Sequence, residues 1–280
     1  MNLSRRQFIS LAGTATAAAA GTGLHAWRVE PHRLEIVRRP LAVRGLPPAL
    51  AGRTLAQLSD IHVGPRVADD YVVSVFTRVA ALQPDIVVIT GDLISHHADV
   101  FAQMEQIYRH FPKGRMATLG ILGNHDYGPA WSHPEIADRV VEVAGGCGIT
   151  MLRNQVHEVD GLQIVGFDDL WADRFEPTAA LTTCDTRRPA IALSHNPDTV
   201  DLAGWGRFEG WILSGHTHGG QCKPPFLPPP LLPVRNRRYT QGEFALAGHR
   251  SLYINRGVGH LLPVRFNVRP EVTVFRLERM

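Results

Sequence analysis

Metal-ligand side chains recur in this chain at one kind of place, directly after short apolar runs. Asp60 and His62 follow the run 54–59, Asp92 follows 85–90, and Asn124 and His125 follow 116–122. His195 follows 190–194, and His216 with His218 follow 211–214. The local sequences are Ser-Asp-Ile-His, Gly-Asp-Leu-Ile, Gly-Asn-His-Asp, Ser-His-Asn-Pro and Ser-Gly-His-Thr-His-Gly-Gly-Gln. Taken singly, each has an ordinary explanation: Gly-Asn and Gly-Asp are turn chemistry, and a lone histidine is most often a satisfied polar residue. Together they argue for one site, because strand ends on a common sheet edge converge and ligands bind at the carboxyl edge of such sheets. Carboxylate, imidazole and amide donors in mixture suit Mn, Fe, Zn or Co better than Ca or Mg.

The segments between these residues have the periodicity needed to place them. Helical spacing over 69–82 puts Val72, Val75, Phe76, Val79 and Leu82 on one face. Further helices are expected over 100–111 and over 134–144, where Pro134 suits a first turn. The run 33–43 reads as an edge strand. Beyond Thr150 strands follow closely, at 151–153, 156–159, 162–167, 190–194, 211–214, 251–255 and 271–277. The alternation predicts a layered α/β fold: two stacked mixed sheets flanked by helices, accommodated as a single domain over 28–280.

Residues 1–27 stand apart. An arginine pair, Arg5-Arg6, precedes an Ala/Gly/Thr stretch reaching about Gly23. This arrangement resembles a twin-arginine export signal, either cleaved or kept as an N-terminal anchor. Its apolar part is shorter than the roughly 20 residues that span a bilayer comfortably. Export by that route would place the protein in the periplasm or on the outer face of the membrane. Near the other end, 224–233 is rich in proline and carries Phe226, Leu227, Leu231 and Leu232. It is expected to form a rigid surface loop beside the site rather than an SH3-type ligand.

Composition narrows the classes. A formal charge of +3 over 280 residues, with only two lysines, gives no basic track for nucleic acid, which is not an expected partner. Three scattered cysteines argue against a disulfide framework.

In order and spacing, the five runs resemble the calcineurin-like metallophosphoesterase superfamily, over 60–218. The arginine pair, the extended Gly-His-Thr-His-Gly-Gly-Gln, and Arg256-Gly-Val-Gly followed by Pro263-Val-Arg and Pro270-Glu-Val resemble its exported YaeI/YkuE-like phosphodiesterase branch. The resemblance implies a four-layer sandwich holding two divalent transition-metal ions, Mn, Fe or Zn. By it, Asp60, His62 and His218 hold one ion, Asn124, His195 and His216 hold the other, and Asp92 bridges them. A metal-bridging hydroxide would attack a phosphodiester or pyrophosphate bond, leaving about one positive charge to suit the phosphate oxyanion. His125 would not be a ligand; it would protonate the leaving oxygen or stabilise its charge.

One departure stands out. Relatives often carry, three residues after the bridging Asp, an Asp that orients the catalytic His, or a Tyr that binds ferric iron; here Ser95 occupies that place. Asp126, Asp168, Asp169 or Ser95 itself could orient His125. His96 and His97 are expected on a solvent-facing helix. Envelope location and the apolar proline-rich loop suggest a lipid- or cell-wall-linked phosphate ester as substrate, with contact to the membrane surface and to the twin-arginine export machinery. The alternative is an exported metal-binding envelope protein with little catalytic activity.

Overall fold

The computed structural model describes residues 4–96 and 99–280. In chain order, the first half runs α1 (Arg5–Leu24), β1 (Glu35–Val43), β2 (Thr54–Leu58), α2 (Asp69–Ala80), β3 (Ile86–Thr90), α3 (Phe101–Tyr108), β4 (Ala117–Ile121), α4 (Pro134–Gly146) and β5 (Thr150–Met151). The second half runs β6 (Gln155–Val159), β7 (Leu162–Gly166), α5 (Pro177–Thr182), β8 (Ala190–Leu193), β9 (Gly210–Ser214), β10 (Gly242–Ala245), β11 (Arg250–Ile254) and β12 (Glu271–Arg279).

The strands form two six-stranded sheets, ordered β1-β12-β2-β3-β4-β5 and β10-β11-β9-β8-β7-β6. The expected pair of mixed sheets is therefore present. Strands β2 to β5 are mutually parallel, as are β7, β8, β9 and β11. Parallel central strands are covered on both faces, so they read as continuous apolar runs; β3, Ile-Val-Val-Ile-Thr, is buried throughout. Pro40 sits in β1, an edge strand, where its missing N–H breaks no inner ladder.

Three apolar layers hold the sheets together. Between them lie Leu41, Leu55, Val88, Ile164, Leu193 and Leu213. Against the outer face of the first sheet, Val72, Phe76 and Val79 of α2 pack with Met104 of α3 and Val140 of α4. The outer face of the second carries Ala180 of α5, Trp205 and Phe208. At the edge that bears the site, Gln57 of β2 ties the sheets together by donating to Thr90 Oγ1 (3.1 Å) and to the carbonyl of Ser214 (3.0 Å).

Helix α1 is capped by Ser4 and Gln7 and buries none of its residues. Among the described residues, no helix is long and apolar enough to cross a membrane. The chain joins the body at Ala26, whose carbonyl accepts from the Arg265 backbone at 2.9 Å.

Candidate metal centre

Strands β2, β3, β4, β8 and β9 all end at one edge, and their exit loops are knitted together. Asp60 N–H donates to the Gly91 carbonyl (3.0 Å), His62 N–H to the Asp92 carbonyl (3.1 Å) and Gly215 N–H to the His195 carbonyl (3.1 Å). Strand alternation is not what brings Asp60 and His62 together. β2 stops at Leu58, and both residues adopt left-handed backbone, with φ of 51° and 54°. A turn, rather than the strand period, aims the two side chains together. Asp92, His216 and His218 share this conformation, with φ of 54°, 70° and 50°. Left-handed backbone costs a non-glycine residue roughly 1–2 kcal/mol. Five such residues at one edge mark where the fold holds strain for function.

Two groups of donors result. The ligand-type atoms of Asp60, His62 and His218 lie within 4.8 Å of one another, as do those of Asp92, His195 and His216. Asp92 Oδ2 stands 3.5 Å from His62 Nε2 in one group and 3.2 Å from His195 Nε2 in the other, so its carboxylate faces both. Asn124 is wholly buried, and neither its amide oxygen nor its nitrogen has a hydrogen-bond partner. Leaving both atoms of a buried amide unsatisfied is costly unless something else binds them. Gly123 makes the crowding tolerable: a Cβ there would lie 2.3 Å from Asp92 Oδ1 and 2.8 Å from His195 Nε2.

The hydrogen bonds on the far side of two rings fix their tautomers. His195 Nδ1 donates to the Thr90 carbonyl (2.8 Å) and His216 Nε2 to the Pro233 carbonyl (2.8 Å). The remaining nitrogens, His195 Nε2 and His216 Nδ1, face each other at 3.2 Å. This arrangement, a backbone acceptor behind each ring and the second nitrogen turned to the site, is how metal-ligating histidines are oriented. Electrostatics agree. Burial pulls His62 and His216 each down to about 3, so both are neutral imidazoles. Burial also opposes charge on His195, but the Asp92 carboxylate prevails and lifts it to about 10. Burial and the neighbouring Asp92 push Asp60 up to about 7. A cation between these groups satisfies the same charge balance as the protons they now compete for. The donor set therefore fits two transition-metal ions.

His125 sits above the centre. Its backbone N–H donates to Asp92 Oδ1 (2.9 Å), its ring meets His62 edge-on at 5.0 Å, and its Nδ1 is buried without a partner. None of the carboxylates or hydroxyls expected to orient it does so. Asp126 accepts from the backbone of Ile94 (3.0 Å) and Gly123 (2.8 Å), closing its own turn. Asp168 is taken by Tyr127 and Arg153, and Asp169 Oδ1 by the backbone of Trp171 and Ala172. Ser95 Oγ donates to the Val63 carbonyl (2.9 Å). The ring beside His125 is instead His96, at 5.6 Å. His96 lies in a bend ahead of α3 and is half-buried, not on a solvent-facing helix as expected; His97 lies outside the described residues.

Two further features had no signal in spacing. Arg265 is wholly buried 3.4 Å behind His218 Nδ1. Its guanidinium donates to the carbonyls of Arg256 (3.0 Å), Gly257 (3.2 Å), Gly259 (2.6 Å) and Val268 (3.3 Å). Gly259 N–H in turn donates to the Asp60 carbonyl (2.7 Å). Trp171 meets His216 edge-on, with ring centroids 4.4 Å apart. The proline-rich stretch does lie beside the site: Pro230 to Pro233, with Leu261, Leu262 and Val264, wall an apolar cleft of about 560 Å³ onto which His125, His216 and His218 open.

The family model for calcineurin-like phosphoesterases matches residues 53–220. The chain is 32% identical to the uncharacterized metallophosphoesterase YkuE of Bacillus subtilis (strain 168), over 99% of this chain and 98% of YkuE. It is 31% identical to the phosphodiesterase YaeI of Escherichia coli (strain K12), over 98% of this chain and 99% of YaeI. With the UDP-2,3-diacylglucosamine pyrophosphatase LpxG of Chlamydia trachomatis it shares 28% identity, over 96% and 98% of the two chains.

Proposed function

The chain belongs to the calcineurin-like phosphoesterase family and is a metal-dependent phosphoester hydrolase, and from that premise we propose that it cleaves phosphodiester or pyrophosphate bonds of a lipid- or cell-wall-linked envelope substrate. The observation that carries the substrate class is the apolar cleft of Pro230 to Pro233, Leu261, Leu262 and Val264, which opens directly onto His125 and His216. Leu231 and Leu262, which line it, are exposed, as are Phe226 and Leu227 of the same proline-rich stretch. Such exposed apolar side chains suit contact with a membrane surface and entry of an acyl or prenyl arm. The likeness to LpxG supports the same reading.

In this proposal Asp60, His62 and His218 hold one ion, Asn124, His195 and His216 the other, and Asp92 lies between them. Two such ions, Mn, Fe or Zn, supply positive charge to the phosphoryl oxygens and a nucleophile at neutral pH. The protein contributes direction. Thr90 and Pro233 fix the His195 and His216 tautomers, and Asp92 holds His125 by its backbone N–H. Burial lowers the proton affinity of the His125 ring although Asp92 opposes it. His125 thus acts as a neutral imidazole whose N–H meets the charge growing on the leaving oxygen.

Residues 1–27 serve in this proposal as a twin-arginine export signal or anchor, and 28–280 as the catalytic domain outside the cytoplasmic membrane. The arginine pair and a helix that buries nothing against the core support that assignment. The test compares kcat/KM of the Mn-loaded enzyme for bis(4-nitrophenyl) phosphate and for a lipid-nucleotide pyrophosphate. A preference for the lipid is expected; equal values would sink the lipid-linked substrate.

A further inference from the structure

A second cavity, of about 550 Å³, adjoins the cleft and shares Trp131 and Trp171 with it. The two indoles form one wall, their ring centroids 4.5 Å apart at 35°. Because Trp171 also touches His216, this cavity begins one ring's thickness from the metal centre. The segment 230–236 runs through both spaces: Leu231 and Leu232 line the apolar cleft, and Arg235 and Asn236 line the second pocket. The apolar cleft therefore continues, past the indoles, into a mixed pocket where Leu170 and Leu202 stand beside charged side chains.

The second pocket is built, and part of it is unused. Ala130, Trp131 and Asp173 all adopt left-handed backbone, with φ of 54°, 57° and 57°. Buried Asp169 accepts from the backbone of Trp171 (2.7 Å) and Ala172 (2.9 Å), fixing the turn that presents the indole. Asp198 accepts from the backbone of Arg235 (2.6 Å) and Asn236 (3.0 Å), and Asp201 from Asn236 Nδ2 (2.8 Å). Those bonds hold the 235–236 turn. Among the described residues, the Asp173 carboxylate and the Arg235 guanidinium make no side-chain hydrogen bond or ion pair, and both are exposed.

An aromatic wall flanked by a free acceptor and a free donor matches a ring that carries hydroxyls. Its C–H face stacks on the indoles while hydroxyls donate to Asp173 and accept from Arg235. The carboxylates of Asp173, Asp198 and Asp201, all in the lining, disfavour a second anion. We infer that this pocket is a subsite for a hydroxylated ring, hexose or ribose, on the substrate arm opposite the one in the apolar cleft. Its position relative to the phosphoryl group rests on the function proposed above.

The experiment is isothermal titration of the Mn-loaded protein with inorganic phosphate, a hexose 1-phosphate and a nucleoside 5′-phosphate. At least one ring-bearing phosphate should bind about tenfold tighter than inorganic phosphate. Asp173→Ala and Arg235→Ala, both at exposed positions, should each remove most of that gain and leave inorganic phosphate affinity unchanged. Preference for the hexose or for the nucleoside identifies which ring the pocket takes. Equal affinity for all three ligands, or a gain that both variants retain, overturns the subsite while leaving the metal centre intact. Absence of any phosphate binding overturns both.

Discussion

His62 and His218, 156 positions apart in the chain, place their Nε2 atoms 3.1 Å from each other, with the two rings stacked at 21°. Both are buried, and burial holds His62 at about 3 and His218 well below its ordinary value. Two neutral imidazoles can share one proton, but here each Nε2 also faces a carboxylate, with Asp92 Oδ2 3.5 Å from His62 Nε2 and Asp60 Oδ1 3.4 Å from His218 Nε2. A cation held jointly with Asp60 fits that convergence of donors. His62→Ala should therefore lower metal content by about one ion per chain while the other group retains its own. Plasma emission analysis of the purified variant reads this directly; an unchanged count would remove His62 from the ligand set.

Asn124 and His125 are adjacent, but the proposed reaction gives them different work. Asn124→Ala removes an amide with no protein partner and should weaken binding of the second ion. His125→Ala should leave both ions bound and lower kcat for a nitrophenyl diester by about a hundredfold or more. Metal analysis beside turnover separates the two outcomes. Either variant with wild-type turnover would contradict the role given to that residue.

Arg265 keeps its charge although burial pulls it down to about 10. It joins the 256–259 loop to the back of His218, and that loop is bonded to Asp60. Arg265→Met should weaken the ion at Asp60, His62 and His218 about tenfold, as loss of outer-shell support does elsewhere. Arg265→Lys should restore part of it. Chelator competition measures the affinity, with circular dichroism as a control for folding. Equal weakening of both ions would mean a general structural defect instead of positioning at one site.

His260 supplies a pH signature away from the ligands. Its Nε2 donates to the Arg66 carbonyl (3.1 Å), its Nδ1 is buried without a partner, and only 2% of the residue is exposed. Burial first, then the Arg265 charge, pull it from 6.5 to about 4. The sign follows from linkage. Above about 6.5 neither folded nor unfolded chain binds the proton, and stability is full. Between 6.5 and 4 the unfolded chain takes a proton that the folded one refuses, so stability falls, by at most roughly 3 kcal/mol. His62 and His216 act in the same direction, so the comparison needed is wild type against His260→Gln. Urea unfolding at about pH 7.5 and about pH 4.5 should show the wild type losing more stability than the variant. Equal losses would mean that His260 is not held neutral.

The convergence of Asp60, His62, Asp92, His195, His216 and His218 is legible in the amino-acid sequence, because these residues follow buried strands and strand ends are marked by apolar runs. The two-sheet fold is legible for the same reason. What escapes has physical causes. The aim of Asp60 and His62 comes from left-handed turns, which no strand period encodes. Arg265 appears in sequence as one more arginine, a residue type that is almost never fully buried. Trp131 and Trp171 meet across 40 positions only because separate strained turns present them. Strand β10, Gly-Glu-Phe-Ala, is a short, half-exposed edge with little apolar signal. Helix α5 is only six residues long.

The measurement closest to the central claim is metal stoichiometry tied to turnover. The protein is stripped with chelator and titrated with Mn2+ while bound metal and hydrolysis of bis(4-nitrophenyl) phosphate are followed together. The two groups centred on Asp60 and Asp92 predict about two ions per chain, with turnover rising as the second is bound. Saturation at one ion, or turnover that persists in the stripped protein, would contradict the dinuclear account.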